Sequence, residues 1–129
     1  MDKNPLFHNW LQKADEDYQF ASINLTEEKT FFSQICFHYH QAAEKYLKSF
    51  IVAYNLPFRK IHNLKELVNI CREKDPSFSQ IEEACIYLNQ YYIETRYPVH
   101  WPTALTQKDA ETAKENAAHI SSFIKAKLQ

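Results

Sequence analysis

Apolar residues recur along most of this chain at intervals of three and four, the spacing that lines up one face of an α-helix. The first such stretch is Trp10, Ala14, Tyr18, Ala21 and Leu25. It stands behind Asn4-Pro5, an Asx cap followed by a residue whose missing N–H costs nothing in a first turn. After a polar connection at 26–29, the longest predicted helix covers about 30–55. Phe32, Ile35, Cys36, Tyr39, Ala43, Tyr46, Leu47, Phe50 and Tyr54 form its inward stripe, and Pro57 closes it. A third helix, about 63–74, turns Leu64, Leu67, Val68 and Cys71 inward, and Asp75-Pro76-Ser77 reads as a turn and restart. A fourth, about 78–95, buries Ile81, Ala84, Cys85, Leu88 and Tyr92. Pro98 and Pro102 enforce an irregular stretch over 97–105. Thr106 and Asp109 then form a capping box with Asp in the distal role, opening a last helix to about 127 that packs Ala110, Ala113, Ala117, Ile120 and Ile124. Short loops between helices of similar length predict antiparallel neighbours. The expectation is an all-α, up-and-down bundle of four to five helices in a single domain over 1–129.

Composition narrows the picture mainly through one absence. Among 129 residues there is no glycine. Tight hairpins, phosphate-cradling loops and the dinucleotide fingerprint all need a residue that tolerates positive φ cheaply, so hairpin-built sheets, P-loops and Rossmann folds are disfavoured. With 45% apolar and 24% charged residues the chain can bury a core. Fifteen basic against sixteen acidic side chains leave a net charge of −1, which is not the bulk positive field of a non-specific nucleic-acid binder. Cys36, Cys71 and Cys85 are odd in number and form no C-x-x-C, so they read as small buried hydrophobes of a reducing compartment rather than a disulfide framework or zinc site. The opening residues carry no long apolar run and no stretch approaches a bilayer span, so a cytoplasmic protein that does not enter the membrane is expected.

Three constellations compete for chemistry. On the long helix, Gln34, His38, Gln41, Lys45 and Lys48 lie close together around the helix axis, away from the apolar stripe. They read either as a solvated face or as a phosphate-binding surface, offering lysines and amides without a carboxylate. His40 and Glu44 stand four apart with His38 nearby, and Glu115 precedes His119 by four. Di-iron bundles, however, take Glu-x-x-His from two helices, and this chain has none, so no metal is expected. The third is the segment 94–102. Arg96 ends a predicted helix and His100 follows in a Pro-bounded loop. An arginine that holds a phosphate bidentately and a histidine that shuttles a proton are together able to cleave an RNA backbone without metal. A cation at a helix C-terminus is equally explained by the helix dipole, and Tyr97 and Trp101 by core closure.

Four segments in order carry a resemblance: a Trp-containing first helix, His40-Gln-Ala-Ala-Glu-Lys-Tyr-Leu-Lys48 on the second, His62-Asn-Leu-Lys-Glu-Leu67 opening the third, and Arg96-Tyr-Pro98 ending the fourth. Together they resemble the HEPN (higher eukaryote and prokaryote nucleotide-binding) domain family, in particular its Arg-Tyr-Pro branch, over nearly the whole chain. The resemblance implies a helical bundle that acts as a homodimer beside a small nucleotidyltransferase, as in toxin–antitoxin pairs, and that needs no cofactor. One implied reading is a nucleotide- or phosphate-binding module anchored by Arg96 with Lys45, Lys48, His38 and Gln41. The other is a metal-independent endoribonuclease toxin in which Arg96 steadies the phosphorane and His100 is the acid–base. Ribonuclease members separate their Arg and His by four to six residues, whereas three intervene here. Members modified by their partner carry a Tyr two residues after the His, a place taken here by Pro102. A ligand-free helical scaffold is the third reading. Phe37, Ile51 and Val52 lie off the main stripe of the long helix, and in a monomer without a covering helix they form an apolar patch suited to isologous association.

Overall fold

The structure is a computed structural model that describes residues 2–27, 31–57, 60–96 and 104–129, with backbone alone at 27 and 93–96. Five α-helices and no strand are found among these residues: α1 (Phe7–Glu27), α2 (Phe32–Ala53), α3 (Leu64–Lys74), α4 (Glu82–Arg96) and α5 (Gln107–Leu128). Rising residue numbers on α1 meet falling numbers on α2. Asp15 reaches Tyr46, Asp17 reaches Lys45 and Ser22 reaches Tyr39, so the two helices are antiparallel. The same reversal relates α3 to α4 through Leu64–Asn89 and Arg72–Glu82. Tyr87–Asp109 and Gln80–His119 show it again between the α4 region and α5. The all-α bundle expected from the periodicity is therefore what the chain forms.

α2 is the central helix, packed against each of the other four. Its buried set includes Ile35, Cys36, Tyr39, Tyr46, Leu47, Phe50 and Ile51, which meet Leu64, Leu67, Leu88, Ile120 and Ile124 in one continuous core. A helix surrounded on most sides has little solvated face left, and two expectations change for that reason. Ile51 is 1% exposed and belongs to the core, so it does not join Phe37 and Val52 in an open patch. Lys48, expected away from the core stripe, is buried as well.

Local chemistry explains the helix ends. Asn63 accepts hydrogen bonds from the Lys65 and Glu66 amides, capping α3. Thr106 and Asp109 exchange bonds in a complete capping box at the start of α5, as their spacing predicts. The expected start of the fourth helix near 78 is instead a 3₁₀ turn, Pro76–Ile81, capped by Asp75 through the Ser77 amide. Three residues per turn eclipse positions i and i+3, which is how Phe78 and Ile81 both reach the core. The α2 boundaries use left-handed residues other than glycine: Phe31 (φ 63) before it and Asn55 (φ 54) after it. All three cysteines are free and buried; desolvation pushes the Cys36 and Cys85 thiols up to about 12. Among the described residues no helix is long and apolar enough to cross a membrane.

Candidate functional site

The polar residues of α2 divide into two groups, each organised by one carboxylate. On the α1 side, Lys45 Nζ lies 2.5 Å from Asp17 Oδ2, and His38 Nδ1 lies 3.6 Å from Oδ1 of the same side chain. Burial pushes the Asp17 carboxyl up, but the nearby His38 ring and the hydrogen bond and charge of Lys45 outweigh it and leave the group below its usual value. The Phe20 ring covers His38 edge-on at 4.7 Å. Lys45 and His38 thus already face an acid that a pattern confined to α2 does not reveal.

The second group lies where α2 meets the 60–63 segment and α4. Its hub is Glu44, whose side chain is 5% exposed. Lys48, one turn further on, donates to Oε2 at 2.9 Å, and its ammonium also lies 5.7 Å from the Trp10 ring. From the other side His62 brings Nδ1 to 3.1 Å from both carboxylate oxygens. A carboxylate only accepts, so this ring nitrogen carries the hydrogen. His40 is fully buried, with Nε2 3.1 Å from the His62 carbonyl and Nδ1 3.1 Å from Gln41 Oε1, and in the neutral ring the single N–H donates to one of these two oxygens. Burial lowers the His40 pKa, outweighing the Glu44 charge and both hydrogen bonds, so the ring is held neutral. Tyr92 of α4 stacks on His62 with centroids 4.9 Å apart and planes 14° from parallel.

His62 and Tyr92 line a cleft of about 340 Å³ together with Lys60, Ile61, Asn63, Glu66 and Asn89. Both asparagines turn their carbonyl ends into the start of α3, where Asn63 Oδ1 caps the helix and Asn89 Oδ1 accepts from the Leu64 amide at 2.8 Å. Asn89 Nδ2 also donates to Asn63 Oδ1 at 3.4 Å, which leaves the Asn63 NH₂ and the second Asn89 amide hydrogen as donors. Asn89, Tyr92 and Arg96 follow one another on α4 at three- and four-residue steps, so the backbone position of Arg96 is on the same helix face, one turn beyond Tyr92.

Of the residues singled out from sequence, the fold gathers Lys48 and Gln41 around His40, Glu44 and His62, and Lys45 and His38 around Asp17. Arg96 closes α4, and His100 lies outside the described residues, as do Tyr97, Pro98, Trp101 and Pro102. His119, instead of pairing with Glu115, has Nε2 3.2 Å from the Gln80 carbonyl. No group of three or more His, Cys, Asp or Glu side chains among the described residues is arranged to hold a metal. His62, Asn89 and Tyr92 had no place among the sequence candidates for chemistry. The signal for them was slight: the His62-Asn63 pair before an apolar run, and a Tyr91-Tyr92 pair in which the first ring is the core residue.

Comparison with known proteins agrees with this architecture. The chain shares its fold with the crystal structure of an archaeal HEPN homologue, at 22% identity, with 100% of both chains covered and a TM-score of 0.78. It also resembles the crystal structure of a protein from Sulfolobus solfataricus, at 19% identity over 90% of this chain and 96% of that one, with a TM-score of 0.64. No curated protein sequence matches the chain. The family model for the HEPN domain matches residues 7–127, and the chain belongs to the HEPN domain family.

Proposed function

We propose that this protein is a nucleotide- or phosphate-binding HEPN module that works in the cytoplasm as a homodimer and partners a small nucleotidyltransferase in a toxin–antitoxin-like pair. The observation that carries the binding reading is the cleft beside His62. It offers an ammonium group at Lys60, amide donors at Asn63 and Asn89, and an aromatic ring at Tyr92, and Arg96 follows Tyr92 one turn further along α4. Arg96 is the phosphate anchor in this reading, because a guanidinium matches phosphate oxygens bidentately. Lys48 and Gln41 contribute from behind His62, through Glu44 and His40, while Lys45 and His38 stand on the α1 side, around Asp17. Titration of the purified protein with nucleoside mono-, di- and triphosphates tests the reading. Saturable heat that Arg96→Ala weakens at least tenfold supports it, and no heat with any nucleotide refutes it. Co-purification with a nucleotidyltransferase co-expressed from the same operon tests the partnership.

A second reading keeps Arg96 and adds His100 as the acid–base of a metal-independent endoribonuclease. The placement of Arg96 at the last turn of α4, immediately before the segment that bears His100, favours it. RNA cleavage in EDTA that both Arg96→Ala and His100→Ala abolish is the expected result. Intact RNA with folded wild-type protein removes this reading for that substrate.

A further inference from the structure

His62 is held more firmly than a half-exposed loop side chain needs to be. Its side chain is 46% exposed, yet its Nδ1 is fixed on a buried carboxylate, its ring on Tyr92, and its carbonyl on a fully buried imidazole. The groups that hold it are expensive to bury. Glu44 and Lys48 are withdrawn from water at 5% and 6% exposure, and a buried ion pair of this kind is weak evidence for stability, because an apolar pair of similar volume often serves as well. Rigid support behind one open side chain is instead how binding groups are preorganised. With Nδ1–H committed to Glu44, the ring atom left over is Nε2, which has no partner among the described residues and belongs to a side chain that lines the cleft.

The donors around it select the ligand. Glu44 and Lys48 neutralise one another, and Lys60 and Glu66 are the charged residues among those described that line the cleft, so an ammonium stands beside the open ring. The Asn63 NH₂ and the second hydrogen of the Asn89 NH₂ are donors as well. We infer that His62 is the phosphate-contacting residue of this cleft: it gives an Nε2–H hydrogen bond to the phosphate group of a nucleotide, with Lys60 alongside and Glu44 as the positioning residue. The inference rests on the nucleotide-binding reading above and adds the group that contacts the phosphate. A phosphate oxygen accepts only, so binding fixes the ring in its doubly protonated, donor form.

The test uses adenosine 5′-monophosphate and inorganic phosphate as probes on the full chain. Imidazole nitrogen resonances of the wild-type protein are followed by NMR and assigned with His62→Gln. A saturable shift of the His62 Nε2 signal on adding the monophosphate, with the His8 and His119 signals unmoved, is the expected result. His62→Gln, which keeps an amide N–H for Glu44, is expected to lose at least tenfold in affinity by calorimetry while melting within a few degrees of wild type. The same His62 shift with inorganic phosphate also supports the inference and assigns recognition to the phosphate alone. Monophosphate binding that leaves the His62 signal in place and survives His62→Gln overturns the inference while the binding reading stands. If neither probe is bound at millimolar concentration, both fall together.

Discussion

Replacing Glu44 by glutamine isolates the energetic role of the buried hub. The substitution keeps volume and one acceptor oxygen but removes the charge opposite the Lys48 ammonium, whose side chain is 6% exposed. Removing one partner of a buried ion pair costs about 3–5 kcal/mol, because the remaining charge stays desolvated. The substituted amide still offers Lys48 a neutral acceptor and Trp10 still lies 5.7 Å away, so the lower end, about 3 kcal/mol, is the figure to expect. At an unfolding entropy of about 2.1 cal/mol/K per residue, that corresponds to a fall in Tm of about 11 °C. Urea titration of wild type, Glu44→Gln, Lys48→Met and the double variant measures both the cost and the coupling. The double variant removes the stranded charge, so it is expected to be more stable than Glu44→Gln alone, with a coupling of at least about 1.5 kcal/mol. Strict additivity, or a Glu44→Gln protein within about 0.5 kcal/mol of wild type, refutes the idea that Lys48 depends on this carboxylate.

Three further outcomes follow from the same structure. Asp75 is held at about 2, first by the hydrogen bond from Lys127 and then by those from Ser77. A carboxyl depressed in the folded state contributes stability present above its ordinary value of 3.8 and lost as pH falls through 3.8 toward 2. With solvent screening at this partly exposed pair the contribution is about 1 kcal/mol, and Asp75→Asn, which preserves the cap, is expected to remove that acid-limb loss in pH-dependent urea melts; an unchanged limb refutes it. His40 works in the same direction from a different cause. Its folded value lies below the ordinary 6.5, so the unfolded chain binds more protons and stability drops as pH falls below 6.5. His40→Gln, which can donate to the His62 carbonyl, should show a stability deficit that narrows between pH 8 and pH 5, and parallel curves would count against a neutral buried ring. Thr106→Ala breaks the α5 capping box and is expected to cost about 1 kcal/mol by thermal melt, with no change in nucleotide titration.

What periodicity could read, and what it could not, separates along physical lines. The stripes of α2 and α5 were legible because an apolar side chain every third or fourth residue has one economical explanation, and Ala110 through Ile124 are fully buried at that spacing. The caps at Asn63 and Thr106 were legible because they act within one turn of their own sequence. Periodicity puts Tyr92 inward because i+3 and i+4 from Leu88 are equally good steps; tertiary packing chooses Tyr91 for the core and leaves Tyr92 to the cleft. The pairing of Lys45 with Asp17 spans 28 residues, and that of His62 with Glu44 spans 18. Neither follows from helix geometry, since each depends on which face of α2 its neighbour covers. A lysine on a polar stripe looks solvated until the helix carrying it becomes the centre of the bundle.

The positive-φ residues Phe31 and Asn55 have a counterpart in the state they fold from. A chain of average composition and this length holds about nine glycines, and this one holds none. Where an ordinary protein places its most flexible residue, this chain places side chains that tolerate the left-handed region at a cost of roughly 1–2 kcal/mol each. The return comes in the unfolded ensemble. Every position with a Cβ has fewer backbone conformations to lose, which favours the folded state by about 0.4–1 kcal/mol relative to glycine wherever the native geometry is compatible. Over several such positions the effect outweighs the strain at the two ends of α2. Part of what keeps this bundle folded is therefore a poverty of alternatives in its denatured chain, and a glycine scan of the exposed helix positions would draw on that reserve without breaking a single native contact.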